Sequence, residues 1–167
     1  MPIPDFVLRL RQKIGHDLLW LPGVTAVVLD GEHVLLVRRS DNGRWAPVTG
    51  IVDPGEHPSV AAAREVLEET GVTCSVESLA WVSVTEQIVH VNGDHAQYLD
   101  HTFACRYVDG AAHPADDEST EVGWFHVDRL PAMEAALVER IRTARAHTGQ
   151  VRLDGGTAPE VSRPRGG

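Results

Sequence analysis

The chain has 167 residues, 43% of them hydrophobic and 23% charged, and a formal net charge of −9. That length and balance suit one globular domain with a real core, and argue against a fibre, a disordered chain or a membrane span. The negative charge argues against duplex nucleic acid as a partner, which needs a basic footprint, but leaves room for phosphorylated small molecules held through divalent cations. In chain order, residues 4–19 read as an amphipathic helix. Phe6, Leu10, Ile14 and Leu18 recur every four residues and Pro4 suits the first turn. Asp5, Arg9, Arg11 and Lys13 interrupt this segment, so it does not read as a signal peptide, and a cytoplasmic location is expected. Pro22-Gly23 is expected to break the chain, which sets residues 1–22 apart from a main domain over 23–148.

Val24–Leu29 and Val34–Arg39 are β-forming runs, and Asp30-Gly31 between them predicts a hairpin. Residues 40–58 read as loop with short extended pieces, and 59–70 as a helix ended by Gly71. Val72–Val76 and Leu79–Val91 return to strand character. Asn92-Gly93 signals a second hairpin, which leads into a strand over about 97–108. An acidic loop over 110–121 precedes a short strand, Val122–Val127. A closing helix over 131–147 puts Met133, Leu137, Ile141 and Ala144 on one face. Residues 149–167, rich in Gly and Pro, read as a flexible tail. Cys74 and Cys105 form no CxxC pair, which argues against structural zinc and for two reduced, buried thiols.

The chemistry concentrates in residues 50–72, GIVDPGEHPSVAAAREVLEETGV. Glu65, Glu68 and Glu69 stand at i, i+3 and i+4, so they share a helical face where three like charges repel. Hard divalent ions with oxygen ligands relieve such repulsion. Val60, Ala63 and Leu67 are expected to form the opposite, apolar face, with Val66 beside it, and to anchor the helix on a sheet. Arg64 lies four residues before Glu68 and can hold a neighbouring carboxylate. Pro54-Gly55 delivers Glu56 near the helix N-terminus.

The pattern runs Gly50, Glu56, Arg64-Glu65-Val66, Glu68-Glu69, Gly71-Val72, with fixed gaps. It resembles the Nudix box at every defined position, and the element order over about 23–147 is similar to that family. The resemblance implies an α+β fold, an α/β/α sandwich with a mixed β-sheet. It also implies a hydrolase that cuts a phosphoanhydride bond in a nucleoside-diphosphate-linked compound by attack of water on phosphorus. Mg²⁺ or Mn²⁺ would be the cofactor. Carried over, Glu65, Glu68 and Glu69 would ligate metal. Glu56 would support that shell, a carbonyl near Thr49-Gly50 would add a ligand, and Arg64 would orient the glutamates. An acidic residue upstream of Trp124 is expected to join them, with Glu118 first and Glu121 second. Glu65 or Glu118 would take the proton.

Arg38, Arg39 and Arg44 are candidate phosphate contacts, Trp45 a candidate base platform, and His57 and His101 weaker candidates. The family's Leu-Pro-Gly-Gly is here Pro47-Val48-Thr49-Gly50, and a positive φ at Thr49 would strain it. The partner implied is a small nucleotide or nucleotide-sugar diphosphate. The chain is expected to be a monomer, or a homodimer joined through residues 1–22. A non-catalytic nucleotide sensor is the alternative reading. An isopentenyl-diphosphate isomerase is disfavoured because no cysteine precedes the box.

Overall fold

The computed structural model describes residues 3–90 and 92–153. Eleven elements follow in order: α1 (Asp5–Ile14), β1 (Leu19–Asp30), β2 (His33–Arg39), β3 (Trp45–Ala46), β4 (Val48–Ile51), α2 (Pro58–Thr70), β5 (Thr73–Val84), β6 (Ile88–Val89), β7 (His95–Asp109), β8 (Ser119–His126) and α3 (Ala135–Arg145). One sheet carries the order β3-β2-β1-β7-β5, with β4 on β1, β6 on β7 and β8 on β2. β1 runs parallel to β7 and antiparallel to β2 and β4, so the sheet is mixed, as expected.

Alternation along β1 sets the two helical layers. Val24, Ala26 and Val28 face one cluster with Ala61, Ala62 and Val66 of α2. Val27 faces the other, with Ile141 and Ala144 of α3. Under α3 the face turns polar. Arg140 forms an ion pair with Asp100 and donates to Thr102 Oγ1 at 3.0 Å, all three buried. Removing one partner of such a buried pair would leave an uncompensated charge, so the pair ties α3 to β7 at this point.

Pro22-Gly23 does not break the chain. The Pro22 carbonyl accepts from Val52 N–H at 3.1 Å on the β4 side. The N–H that proline lacks would lie on that same side, at the end of the β4 pairing, while the β7 pairing continues through Leu19–Leu29. The boundary expected at residue 22 therefore falls inside β1. Helix α1 is shorter than the expected 4–19. Of its apolar stripe Phe6 is half-buried, while Leu10 and Leu18 stay 39% and 50% exposed; the buried residue is Val7.

Three other boundaries differ. β5 is one continuous strand with register shifts, not two runs, and β8 begins at Ser119 inside the expected acidic loop. Residues 154–167 of the expected tail lie outside the described residues. The part of that tail that is described is not free. Arg152 bridges Trp81 in parallel, its N–H donating to Ala80 O at 2.9 Å and its carbonyl accepting from Val82 N–H at 3.0 Å. Its guanidinium lies 4.2 Å from the Trp81 ring centroid.

Candidate active site

Pro58 opens α2 at a position where its missing N–H is not needed, and Gly71 closes it in the left-handed conformation at φ 68°. Between them the helix is turned differently from the sequence expectation. Val60 and Leu67 are 56% and 52% exposed, whereas Glu65 and Glu69 are 0% and 5% exposed. The carboxylates, not the larger aliphatics, face inward beside Ala61, Ala62 and Val66. Small alanines let the helix lie close to β1 and β4, and that closeness buries the glutamates.

Gly50 shows how close. A Cβ placed there would stand 2.3 Å from Glu65 Cδ and Oε1. Glycine is required at this point for space, not for its φ. Thr49 takes no positive φ, so the expected strain is absent. Gly50→Ala is expected to push the Glu65 carboxylate out of place and lower kcat at least about tenfold, since small misplacements near reacting groups are costly. Circular dichroism of the variant should stay native; a fully active variant would contradict the geometry.

Arg64 organises the carboxylates from the solvent side. Its Nε and Nη2 each donate to Glu56 at 2.9 Å, and its Nη1 donates to Glu65 Oε1 at 2.9 Å and Glu68 Oε2 at 3.1 Å. This guanidinium holds the Glu56 carboxyl below the usual range. Burial does the opposite to the other two. It pushes Glu65 up to about 7, against the pull of Arg64, and Glu69 up to about 8, with the charges of Glu65 and Asp116 adding to the rise. Glu65 Oε2 is buried and has no hydrogen-bond partner among the described residues. An orphaned oxygen among crowded carboxylates is a hard donor set, which fits Mg²⁺ or Mn²⁺.

The loop before β8 is fastened to the end of α2. His113 N–H donates to Thr70 O and Ala115 N–H to Glu69 O, each at 3.1 Å. This places Asp116 where its charge acts on Glu69. The sequence reading did not single out Asp116; only this docking of the loop reveals it. Glu118, the expected acid, is fixed through its backbone: its N–H donates to Asp116 Oδ1 at 3.0 Å and its carbonyl accepts from Ser40 N–H at 2.7 Å. A cavity of about 300 Å³ opens beside it, walled by Arg39, Asp41, Thr49, Glu69, Glu118 and Ser119, with Val37, Ala46 and Pro47 also lining it. Glu121, the second choice, instead pairs with Arg38 at 2.5 Å on the surface.

Of the arginines read as phosphate contacts, Arg39 alone lines this cavity. Arg38 is held by Glu121, and Arg44 pairs with Glu134 at 3.1 Å with both side chains mostly exposed. Trp45 is not an open platform. Its ring meets Phe125 edge-on at 4.7 Å in the cluster under α3, across the sheet from α2. His101 bonds through Nδ1 to Gly23 O at 3.0 Å, and His57 is the residue preceding α2. A separate group, Glu32, His126 and Asp128, has ligand atoms within 4.8 Å of one another, and Arg145 pairs with both of its carboxylates. Cys74 and Cys105 are free thiols, Cys105 buried and Cys74 half-buried.

Comparison with known proteins places the chain in a family. The chain is 31% identical over 116 residues to the NAD-capped RNA hydrolase NudC of Stutzerimonas stutzeri (strain A1501), covering 68% of this chain and 39% of that one. It is 33% identical over 106 residues to a MutT-like protein of Streptomyces ambofaciens, covering 62% of each. It thus spans less than two thirds of the length of these curated relatives. Among solved structures, a UDP-X diphosphatase superposes with a TM-score of 0.63 at 25% identity, covering 90% of this chain and 74% of that one. No described helix is long and apolar enough to cross a membrane. The NUDIX domain model matches residues 19–146, from the start of β1 past the end of α3, and the chain belongs to that family.

Proposed function

We propose that the protein is a divalent-metal-dependent pyrophosphohydrolase acting on a nucleoside-diphosphate-linked small molecule. The observation that carries this reading is the pair of buried carboxylates on one helix, Glu65 with an orphaned oxygen and Glu69 lining a cavity large enough for part of a nucleotide. A bound Mg²⁺ or Mn²⁺ supplies the charge that screens diphosphate oxygens and acidifies the attacking water. Glu65, Glu68 and Glu69 would hold that ion, with a carbonyl near Thr49-Gly50 as a further ligand and Glu56 fixed by Arg64. Glu65 or Glu118 accepts the proton. Arg39 reaches the phosphates from the cavity wall, where its guanidinium donors steady charge that develops on the leaving group.

Relatives are named for NAD-capped RNA and UDP-X substrates, which share a nucleoside diphosphate joined to another group. Box-downstream residues Thr85-Glu86-Gln87-Ile88 and Val89-His90 carry no marker that selects among such compounds. The test is steady-state kinetics on a panel of nucleoside di- and triphosphates, nucleotide sugars and dinucleotides, with Mg²⁺, with Mn²⁺ and with EDTA. Turnover of at least one compound that EDTA abolishes is expected. Tight binding without turnover across the panel would favour the non-catalytic sensor instead.

A further inference from the structure

The loop that follows β2 carries an ion pair that the carboxylate chemistry does not use. Arg39 Nε donates to Asp41 Oδ1 at 3.0 Å and Nη2 to Oδ2 at 2.6 Å, a two-point grip. The loop behind the pair is rigid. Gly43 N–H donates to Arg39 O and Arg39 N–H to Arg44 O, each at 2.9 Å, while Ser40 N–H reaches Glu118 O. The β2–β8 register shifts between Arg38 and Arg39. Consecutive residues of a strand point to opposite faces, and here Arg38 goes to surface Glu121 and Arg39 to the cavity.

Arg39 and Glu69 line the same cavity, and each feels the other's charge. Yet among the described residues Arg39 forms no ion pair with Glu69; its ion pair is with Asp41. The Asp41 pair is half-exposed, and an exposed pair of this sort contributes little to stability. Its visible effect is on where the guanidinium sits. A guanidinium released into this cavity has a buried, crowded carboxylate within reach, and a cation there competes with any other cation for the same oxygens.

We infer that Asp41 is a positioning residue: it holds the Arg39 guanidinium on the cavity wall, facing substrate phosphate, and keeps it from occupying the Glu69 carboxylate that a divalent ion needs. This rests on the metal-site reading above. The prediction concerns metal affinity itself and is independent of which substrate is turned over. Asp41 also carries charge, so a plain loss of affinity on its removal would not prove positioning. The double-mutant cycle separates the two.

The experiment titrates Mn²⁺ into wild type, Asp41→Ala, Arg39→Ala and the double variant, counting free ion by electron paramagnetic resonance at fixed, near-physiological salt. Asp41→Ala is expected to weaken Mn²⁺ binding about three- to tenfold when Arg39 is present, and by less than about twofold when residue 39 is alanine. Asp41→Glu, which keeps a carboxylate for the fork, should stay within about twofold of wild type. Melting of the metal-free variants serves as the fold control. An equal loss from Asp41→Ala in both backgrounds would show mere charge and overturn the inference, as would no loss in either. Absence of Mn²⁺ binding by the wild-type protein would overturn the metal site and this inference together, whereas normal wild-type binding with an unchanged Asp41→Ala variant overturns the inference alone.

Discussion

Glu69→Gln should lower kcat at least about a hundredfold and at the same time make the metal-free protein melt higher at pH 8. The two effects share one cause. Glu69 is 5% exposed and its neighbours Glu65 and Asp116 repel it, so its charged form is costly in the fold. Glutamine keeps the shape, removes the charge and so relieves that cost. It also removes a ligand charge that holds the cation, which is why stability and activity move in opposite directions. Glu68→Gln should lose a comparable share of activity through the same charge and through the Arg64 contact at 3.1 Å. Its side chain is about half exposed, so no gain in melting temperature is expected there. The measurements are steady-state kinetics at saturating Mg²⁺ and thermal melts in EDTA. Near-wild-type turnover in both variants would refute the assignment.

The second large effect is a pH-dependent stabilisation by metal. Glu65 and Glu69 titrate near 7 and 8 in the fold, against 4.5 for an ordinary glutamate. Both folded values are raised, so the unfolded chain releases these protons first. The stability they contribute is full below about pH 4.5 and is lost as pH rises through 7 and 8. A divalent ion binds the ionised native arrangement and restores what is lost. The melting temperature with millimolar Mn²⁺ should exceed that in EDTA by roughly 5 °C or more at pH 8, and by much less at pH 5.5. A metal effect that is absent, or larger in acid, would show that these carboxylates do not form the site.

Most of the architecture was legible because it rests on periodicity. The β1–β2 turn at Asp30-Gly31, the span of α2 and its stop at Gly71 all follow from local pattern. So does the meeting of Glu65, Glu68 and Glu69, since i, i+3 and i+4 share a face in any helix. Which face turns inward was not legible. Counting aliphatics chose Val60, Ala63 and Leu67 with Val66 beside them, and of these Val66 is buried, but the face turns inward on Ala61 and Ala62, whose small size brings the backbone near the sheet. Pro22 looked like a terminator because a strand's two edges look alike in sequence; its missing N–H happens to point toward the edge where pairing ends. Arg38, Arg39 and Arg44 were equivalent on paper, and the acids each one meets, Glu121, Asp41 and Glu134, tell them apart. Trp45 belonged to the wrong side of the sheet for a site residue. Asp116 was one acid among several until the backbone bonds from the loop to Glu69 and Thr70 placed it.

The short pairing of Arg152 with β5 has a practical side. β5 ends the sheet order, and an outermost strand with unpaired amides and carbonyls is a template for another chain. At Ala80 and Val82 those groups are spoken for, and the Arg152 head is tied to Glu139 and Thr143 of α3 at 2.6 and 3.2 Å. The last described residues thus act as a hem along the sheet. Trimming the chain back to residue 149, as a flexible-tail reading would invite, trades that hem for a bare margin where two molecules can zip together.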